Sequence, residues 1–256
     1  MSALDIHLFA YNSDNYGMLV HDPASGQTAS IDAGDDKAVI AALEEKGWSL
    51  SHLWITHHHW DHTDGLAALK SATGCEVIGP DDPQKRIIGL DKTVSDGDVF
   101  QFAALNVHVL HTPGHTTDMM NFHLPEQKVI FSGDTLFTLG CGRVFEGTME
   151  MMWNSLSRFL KLPPETLIYG AHEYTLNNAR FALTVDPKNA ALIGRAEEVE
   201  AMRERGEPTV PTKLADELKT NPFLRPDDPA IRAQLGMEQA TDAEVFAEIR
   251  RRKDAA

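Results

Sequence analysis

Four times in this chain a short apolar run ends in a turn that carries histidine or aspartate. Residues 53–62 read LWITHHHWDH, 106–118 NVHVLHTPGHTTD, 129–135 VIFSGDT and 167–175 LIYGAHEYT. Loops at strand ends commonly carry function. The repetition is what a site at one rim of a sheet requires, so the chain is expected to build sheets whose strand ends converge. His57 and His59 are two apart and point the same way in extended chain. Asp61 and His62 follow where the chain turns toward a helix. His115, Asp134 and His172 arrive at the other three strand ends. Imidazole and carboxylate are ligands of zinc and similar borderline ions. Five histidines and two aspartates exceed one tetrahedral ion, and with one aspartate bridging they suit two.

The surrounding texture fits. Up to about residue 172 brief apolar runs rich in branched and aromatic residues predict strands: LDIHLFA, YGMLVHD, TASIDAG, HLWIT, CEVIGP, DVFQFAAL, NVHVLHTPG, MMNFHL, KVIFSGD and TLIYGAHE. DKAVIAALEEKG predicts a helix capped by Asp35 or Asp36 and stopped by Gly47, GLAALKSATG a second and TMEMMWNSLSRFLKL a third. Beyond residue 173 strands give way to helical patterns. DPKNAALIGRAEEVEAMRERG offers Asp186 as N-cap, Pro187 at the first helical position and Gly206 as a stop. TDAEVFAEIRRRKD opens with Thr241 and Glu244 in capping-box spacing. Between them, 206–229 is broken repeatedly by Pro and Gly.

Composition narrows the class. The 256 residues favour one large domain with a smaller appendage. A formal charge of −15 opposes nucleic acid and anionic membranes. No run approaches the ~20 apolar residues of a bilayer span, and the N-terminus shows no signal-peptide pattern. A soluble cytoplasmic protein is expected, with Cys75 and Cys141 kept as thiols and Cys141 a small loop residue.

THHHWDH, GHT, SGDT and AHEYT, in that order, resemble the metallo-β-lactamase superfamily. CGRVFEGT from Cys141, AHEYTLNNARFAL from Ala171, NPFLR from Asn221 and the terminal RRRKD narrow the resemblance to the glyoxalase II (hydroxyacylglutathione hydrolase) family. It covers nearly the whole chain. It implies an α+β fold: an αββα sandwich over 1–172 and a small all-helical glutathione-binding domain over 173–256. It implies two divalent metal ions, zinc first, with iron or manganese also accepted by such ligands. His57, His59 and His115 would hold one ion, Asp61, His62 and His172 the other, and Asp134 would bridge them. His58 is not a ligand in the family. Asp32 matches an acidic position that holds a ligand histidine, and it reads equally well as a simple turn residue.

Two ions ~3.5–4 Å apart can hold a hydroxide that attacks a carbonyl and can stabilise the resulting oxyanion. A thioester suits this chemistry, because its leaving thiolate needs little acid assistance. The implied substrate is a 2-hydroxyacyl glutathione thioester, typically S-D-lactoylglutathione, bound by a monomer through Arg143, Tyr174, Arg250 and Lys253. Arg250 and Lys253 are three apart on the last helix, hence on one face. Phe145 stands where some relatives carry tyrosine, which removes one hydroxyl contact to glutathione. The competing readings are a lactonase or β-lactamase of the same superfamily, a mononuclear iron persulfide dioxygenase, and a metal-stabilised binding module.

Overall fold

The computed structural model describes residues 4–256. Backbone proximity divides the chain into two units. The first comprises residues up to His111 together with Asp118–Gly133, and the second comprises Thr112–Thr117 and Asp134–Ala256.

The first unit is built on strands. β1 (Asp5–Tyr11), β2 (Asn15–Asp22) and β3 (Gln27–Ile31) form an antiparallel meander. β4 (His52–Trp54), β5 (Glu76–Pro80) and β6 (Lys92–Val94) continue the same sheet in parallel. Parallel neighbours require crossover connections. Helices supply the first two, α1 (Asp36–Lys46) after β3, then the single turn α2 (Trp60–Thr63) and α3 (Leu66–Thr73) after β4, and an irregular loop over 81–91 supplies the third. Asp35 caps α1 by accepting from Lys37 N and Ala38 N, and Gly47 ends it in the left-handed conformation, as the sequence predicts. Val39, Ala42, Leu43, Leu66 and Leu69 bury the helices against Leu19, Leu53, Ile55 and Val77 of the sheet.

β7 (Val99–Phe102), β8 (Leu105–His111), β9 (Met120–Leu124) and β10 (Val129–Gly133) form a second antiparallel meander. β7 and β8 alternate buried and solvated residues, the signature of a strand with one covered face. The two sheets of this unit meet at Trp54, whose ring is fully buried among Phe100, Phe102 and Phe122 at centroid distances of 5.3, 5.1 and 5.6 Å. Offset and edge-on aromatic contacts of this kind are the favourable ones.

The second unit is mostly helical. A hairpin, β11 (Leu136–Phe137) with β12 (Gly140–Cys141), opens it. α4 (Met149–Phe159) is capped by Thr148 and buries Met152, Ser155, Leu156 and Phe159 at helical spacing. β13 (Leu167–Gly170) is followed by α5 (Thr175–Val185), α6 (Ala190–Glu204), α7 (Leu214–Thr220), α8 (Pro229–Leu235) and α9 (Asp242–Asp254). Phe246 of α9 packs on Trp153 and Phe223. Thr241 and Glu244 form the expected capping box.

Two expectations are corrected here. The N-cap of α6 is Asn189, whose side chain accepts from Ala191 N and Leu192 N, not Asp186. Asp186 instead ends α5, and its carboxylate accepts from Arg225 Nη1 at 2.6 Å and from Asn189 Nδ2 at 2.8 Å. Asp186 N–H donates to the Ala182 carbonyl, so the chain is still closing α5 at this residue and the N-cap of α6 falls three residues further on. Strands also do not stop at residue 173: β14 (Thr212–Lys213) pairs antiparallel with Leu167 and Ile168.

Candidate metal centre

The ligand loop of the first unit follows β4. His57 and His62 are fully buried, while His59 and Asp61 are half-buried. The rings of His57 and His59 lie 4.7 Å apart, and those of His57 and His62 4.1 Å. The loop is pressed against the turn after β3, where a Cβ on Gly34 would lie 1.8 Å from the Asp61 carbonyl oxygen. No side chain fits there.

Asp32, at the end of β3, organises the imidazoles. Its Oδ1 accepts from Thr56 N at 2.7 Å, and its Oδ2 accepts from Thr56 Oγ1 at 2.9 Å and His62 Nδ1 at 2.8 Å. Because the Thr56 hydroxyl donates to Asp32, it accepts from His57 Nδ1 at 3.0 Å. Both rings therefore carry the proton on Nδ1 and present Nε2 as the lone-pair nitrogen. Asp61 is aimed separately: Asn15 Nδ2 donates to its Oδ2 and the Tyr11 hydroxyl to its backbone carbonyl, each at 2.9 Å. Asp32 thus does more than form a turn.

The middle histidine behaves differently. His58 Nδ1 donates to Asp118 Oδ1 at 2.9 Å, and its Nε2 accepts from Arg86 Nη1 at 3.5 Å.

In the second unit Asp134 follows β10, His172 follows β13, and His115 lies on 112–117. His115 Nδ1 donates to the Arg143 carbonyl at 2.8 Å, which again leaves Nε2 as the lone-pair nitrogen. That Nε2 lies 3.3 Å from Asp134 Oδ2, and His172 Nε2 lies 3.4 Å from Asp134 Oδ1. In the first unit His62 Nε2 lies 3.3 Å from Asp61 Oδ2. For His62 and His115 an acceptor nitrogen facing a carboxylate oxygen is repulsive unless a cation lies between them. The donor set therefore fits divalent metal ions, and the Nδ1 partners match the usual support of a ligating histidine. Gly142 lets the hairpin backbone approach closely, since a Cβ there would lie 1.9 Å from the Asp134 carbonyl oxygen and 3.3 Å from His115 Nδ1.

The four expected substrate contacts all lie in the second unit. Tyr174 stacks on His172 at 4.8 Å and 4°. Arg143 is half-exposed, donates to Asp254 through Nε and Nη2, and lies 5.8 Å over the Phe145 ring. Lys253 donates to the Asn177 carbonyl at 3.0 Å and sits over Phe181. Burial, with the neighbouring Arg250 charge, pulls its ammonium below the ordinary lysine range. Arg250 is 5 % exposed, and its guanidinium is committed to the Cys141 carbonyl at 2.9 Å and to Asp254 at 2.8 Å. Cys141 is buried in the hairpin, and desolvation pushes its thiol up to about 11.

Comparison with known proteins places this arrangement. Residues 18–172 match the metallo-β-lactamase superfamily, and 173–256 match the hydroxyacylglutathione hydrolase C-terminus. Solved structures agree on the fold: ETHE1 from Myxococcus xanthus superposes with a TM-score of 0.69 at 26% identity, covering 96% of this chain and 90% of that one. The BLEG-1 B3 metallo-β-lactamase gives 0.66 at 18% identity, covering 86% and 100%. The protein has the metallo-β-lactamase fold, with mixed sheets and helices followed by a helical C-terminal region. Its relatives define the family more narrowly. The hydroxyacylglutathione hydrolase of Rhizobium meliloti (strain 1021) is 55% identical over 99% of both chains, and that of Maricaulis maris (strain MCS10) is 54% identical over 100% of both. The chain belongs to the hydroxyacylglutathione hydrolase family. On this fold the His/Asp clusters point to a binuclear metal site.

Proposed function

We propose that the protein hydrolyses 2-hydroxyacyl glutathione thioesters, typically S-D-lactoylglutathione, to a 2-hydroxy acid and glutathione. The observation that carries this reading is the match to hydroxyacylglutathione hydrolases along the whole chain, helical tail included. Two ions are assigned, one to His57, His59 and His115 and one to Asp61, His62 and His172, with Asp134 shared. Zinc is the first choice, with iron and manganese as alternatives. When bound, they supply Lewis-acid activation of water and of the thioester carbonyl.

The chain's own residues do the rest. Asp32 and Thr56 hold His57 and His62 with Nε2 presented. Asn15 and Tyr11 fix Asp61. The Arg143 carbonyl holds His115 while its guanidinium, with Lys253, offers positive charge to the glutathione carboxylates. Tyr174 braces the His172 ring and contributes a hydroxyl to the tripeptide. Arg250 fixes the end of α9 to the hairpin through the Cys141 carbonyl, which keeps Lys253 and Arg143 in register. We assign catalysis to 1–172 and glutathione binding to 173–256, in a cytoplasmic monomer. Among the described residues no helix is long and apolar enough to cross a membrane.

The test follows loss of the thioester's ultraviolet absorbance on S-D-lactoylglutathione beside a lactone and a β-lactam, with metal content measured on the same sample. The reading requires thioester turnover that disappears on prolonged chelation and returns with zinc, iron or manganese. Asp134→Ala is expected to lose at least one ion and most turnover. Full activity in rigorously metal-free protein overturns the assignment.

A further inference from the structure

Three consecutive histidines pose a selection problem. The His58 ring lies 5.0 Å from that of His59, nearly as close as His57 at 4.7 Å. A metal arriving at this loop therefore meets two adjacent pairs of imidazoles of similar reach. Backbone alternation alone does not exclude the wrong pair, because the loop is not a paired strand and a ring can rotate about its χ angles.

The middle ring is held from both ends. Asp118 takes its Nδ1 proton. Arg86 addresses its Nε2, and a guanidinium has only donors, so Nε2 is the accepting nitrogen. Arg86 is itself fixed: its Nε donates to Asp82 Oδ2 at 2.8 Å and its Nη2 to Asp82 Oδ1 at 3.2 Å, and Nη2 lies 3.6 Å from Asp118 Oδ1. The Asp118 side chain is 1 % exposed. Such a bidentate, largely buried fork is a rigid donor rather than a mobile surface charge.

We propose that Arg86, fixed by Asp82, and Asp118 form a clamp that withdraws His58 from metal ligation, so that of the three consecutive histidines only His57 and His59 are offered. This rests on the binuclear metallohydrolase reading above. A metal takes the imidazole lone pair. Here that lone pair is occupied by a hydrogen bond from a cation, and a second cation at the same nitrogen would meet Arg86 directly. Arg86 and Asp118 are positioning residues in this scheme and touch no reacting atom.

Rescue by a second mutation tests the clamp. Arg86→Ala exposes the His58 lone pair. Metal affinity, measured by chelator competition, is expected to fall about ten- to a hundredfold, the range seen when supporting partners of a metal site are removed. The visible spectrum of the cobalt-loaded protein should change as well, because the ligand set changes. Adding His58→Asn in the same background removes the competing imidazole and should return both readouts to wild-type values. If Arg86 is merely structural, His58→Asn will not rescue. An unchanged Arg86→Ala variant or a failed rescue overturns the clamp.

Should Arg86→Ala not fold, nitrogen NMR of the unaltered metal-free protein decides. The clamp requires the His58 tautomer with its proton on Nδ1 and its lone pair on Nε2, and the reverse tautomer refutes it. Wild-type protein that binds no metal defeats the metallohydrolase reading and the clamp together. Normal metal binding without rescue defeats the clamp alone.

Discussion

Asp32 is the residue through which the first unit's imidazoles are oriented, and its replacement separates electrostatics from backbone strain. It is 4 % exposed and holds φ +61°, a left-handed conformation that Asn tolerates and Ala does not. Asp32→Asn keeps the shape and the backbone preference. It replaces one carboxylate oxygen with an amide donor in a pocket where Thr56 N, Thr56 Oγ1 and His62 Nδ1 all donate. Whichever way the amide turns, a donor meets a donor. The loss of a charge-assisted hydrogen bond should cost about 1.5–3 kcal/mol. Asp32→Ala loses every acceptor and adds about 1–2 kcal/mol of left-handed strain. Asp32→Gly loses the same acceptors without that strain. Urea unfolding of metal-free protein should therefore rank the variants wild type, then Asn, with Gly above Ala by about 1–2 kcal/mol. Chelator competition on the same proteins should show metal affinity about ten- to a hundredfold weaker for Asn. An Asn variant with wild-type metal affinity would show that Asp32 does not orient His62. Gly no more stable than Ala would refute the strain assignment.

Other consequences are equally direct. Glu217 is fully buried and accepts from Arg195 Nη2 at 2.5 Å, Thr212 Oγ1 at 2.7 Å, and Leu139 N and Asn221 Nδ2 at 2.9 Å each. Glu217→Ala strands the Arg195 charge and should cost about 3–5 kcal/mol in denaturant unfolding. Lys253→Ala removes a charge proposed for glutathione rather than for the reacting carbonyl, so KM for the glutathione thioester should rise about tenfold or more while kcat holds; an unchanged KM removes Lys253 from the substrate site. The Cys141 thiol rises from 9.0 to about 11 on folding. The unfolded chain thus gives up this proton first, so its contribution is intact below pH 9.0 and is lost as pH climbs to about 11. Thiol alkylation at neutral pH should accordingly label Cys141 only after unfolding.

The metal-ligand candidates are legible in the sequence because they sit at strand ends, where an apolar run stops and a polar turn begins. Each signal is confined to one short segment of the chain. What supports them is not legible. Asn15 and Tyr11 reach Asp61 across 46 and 50 positions, and Asp118 reaches His58 across 60. Such pairs are set by how strands are ordered in a sheet, and nothing in the local pattern of Asn15 or Asp118 marks them. Arg86 lies in a loop with no periodicity at all. β14 is two residues long inside a Pro-broken stretch, too short for any alternation to register. The misplaced cap of α6 has a similar origin. Asp186 followed by Pro187 is a good local start signal, but Asp186 still belongs to the end of α5, where its carboxylate meets Arg225 39 positions away, and α6 is capped by Asn189.

Arg250 and Lys253 show where periodicity itself stops being informative. Spacing of three does put both on one side of α9, but a helix side is broad, and burial is decided by what packs against it. At Arg250 that neighbour is the hairpin: the guanidinium is drawn under Cys141, where it satisfies a backbone carbonyl. At Lys253 the neighbour is the Asn177 carbonyl and the Phe181 ring of α5, which leave the ammonium half-buried. A buried guanidinium already bonded to a carbonyl and to Asp254 can reach an incoming carboxylate only by giving up those bonds, and the exchange gains little. Lys253 keeps donors on its ammonium beyond the one it gives to Asn177. The two cations that resemble a single basic pair in sequence therefore divide the work: Arg250 should carry the stability of the helix end, and Lys253 the affinity for substrate. Arg250→Ala is expected to lower the unfolding midpoint, whereas Lys253→Ala should leave it in place. If instead the two variants raise KM equally at unchanged stability, Arg250 leaves the hairpin to meet substrate, and the pair acts as one clamp.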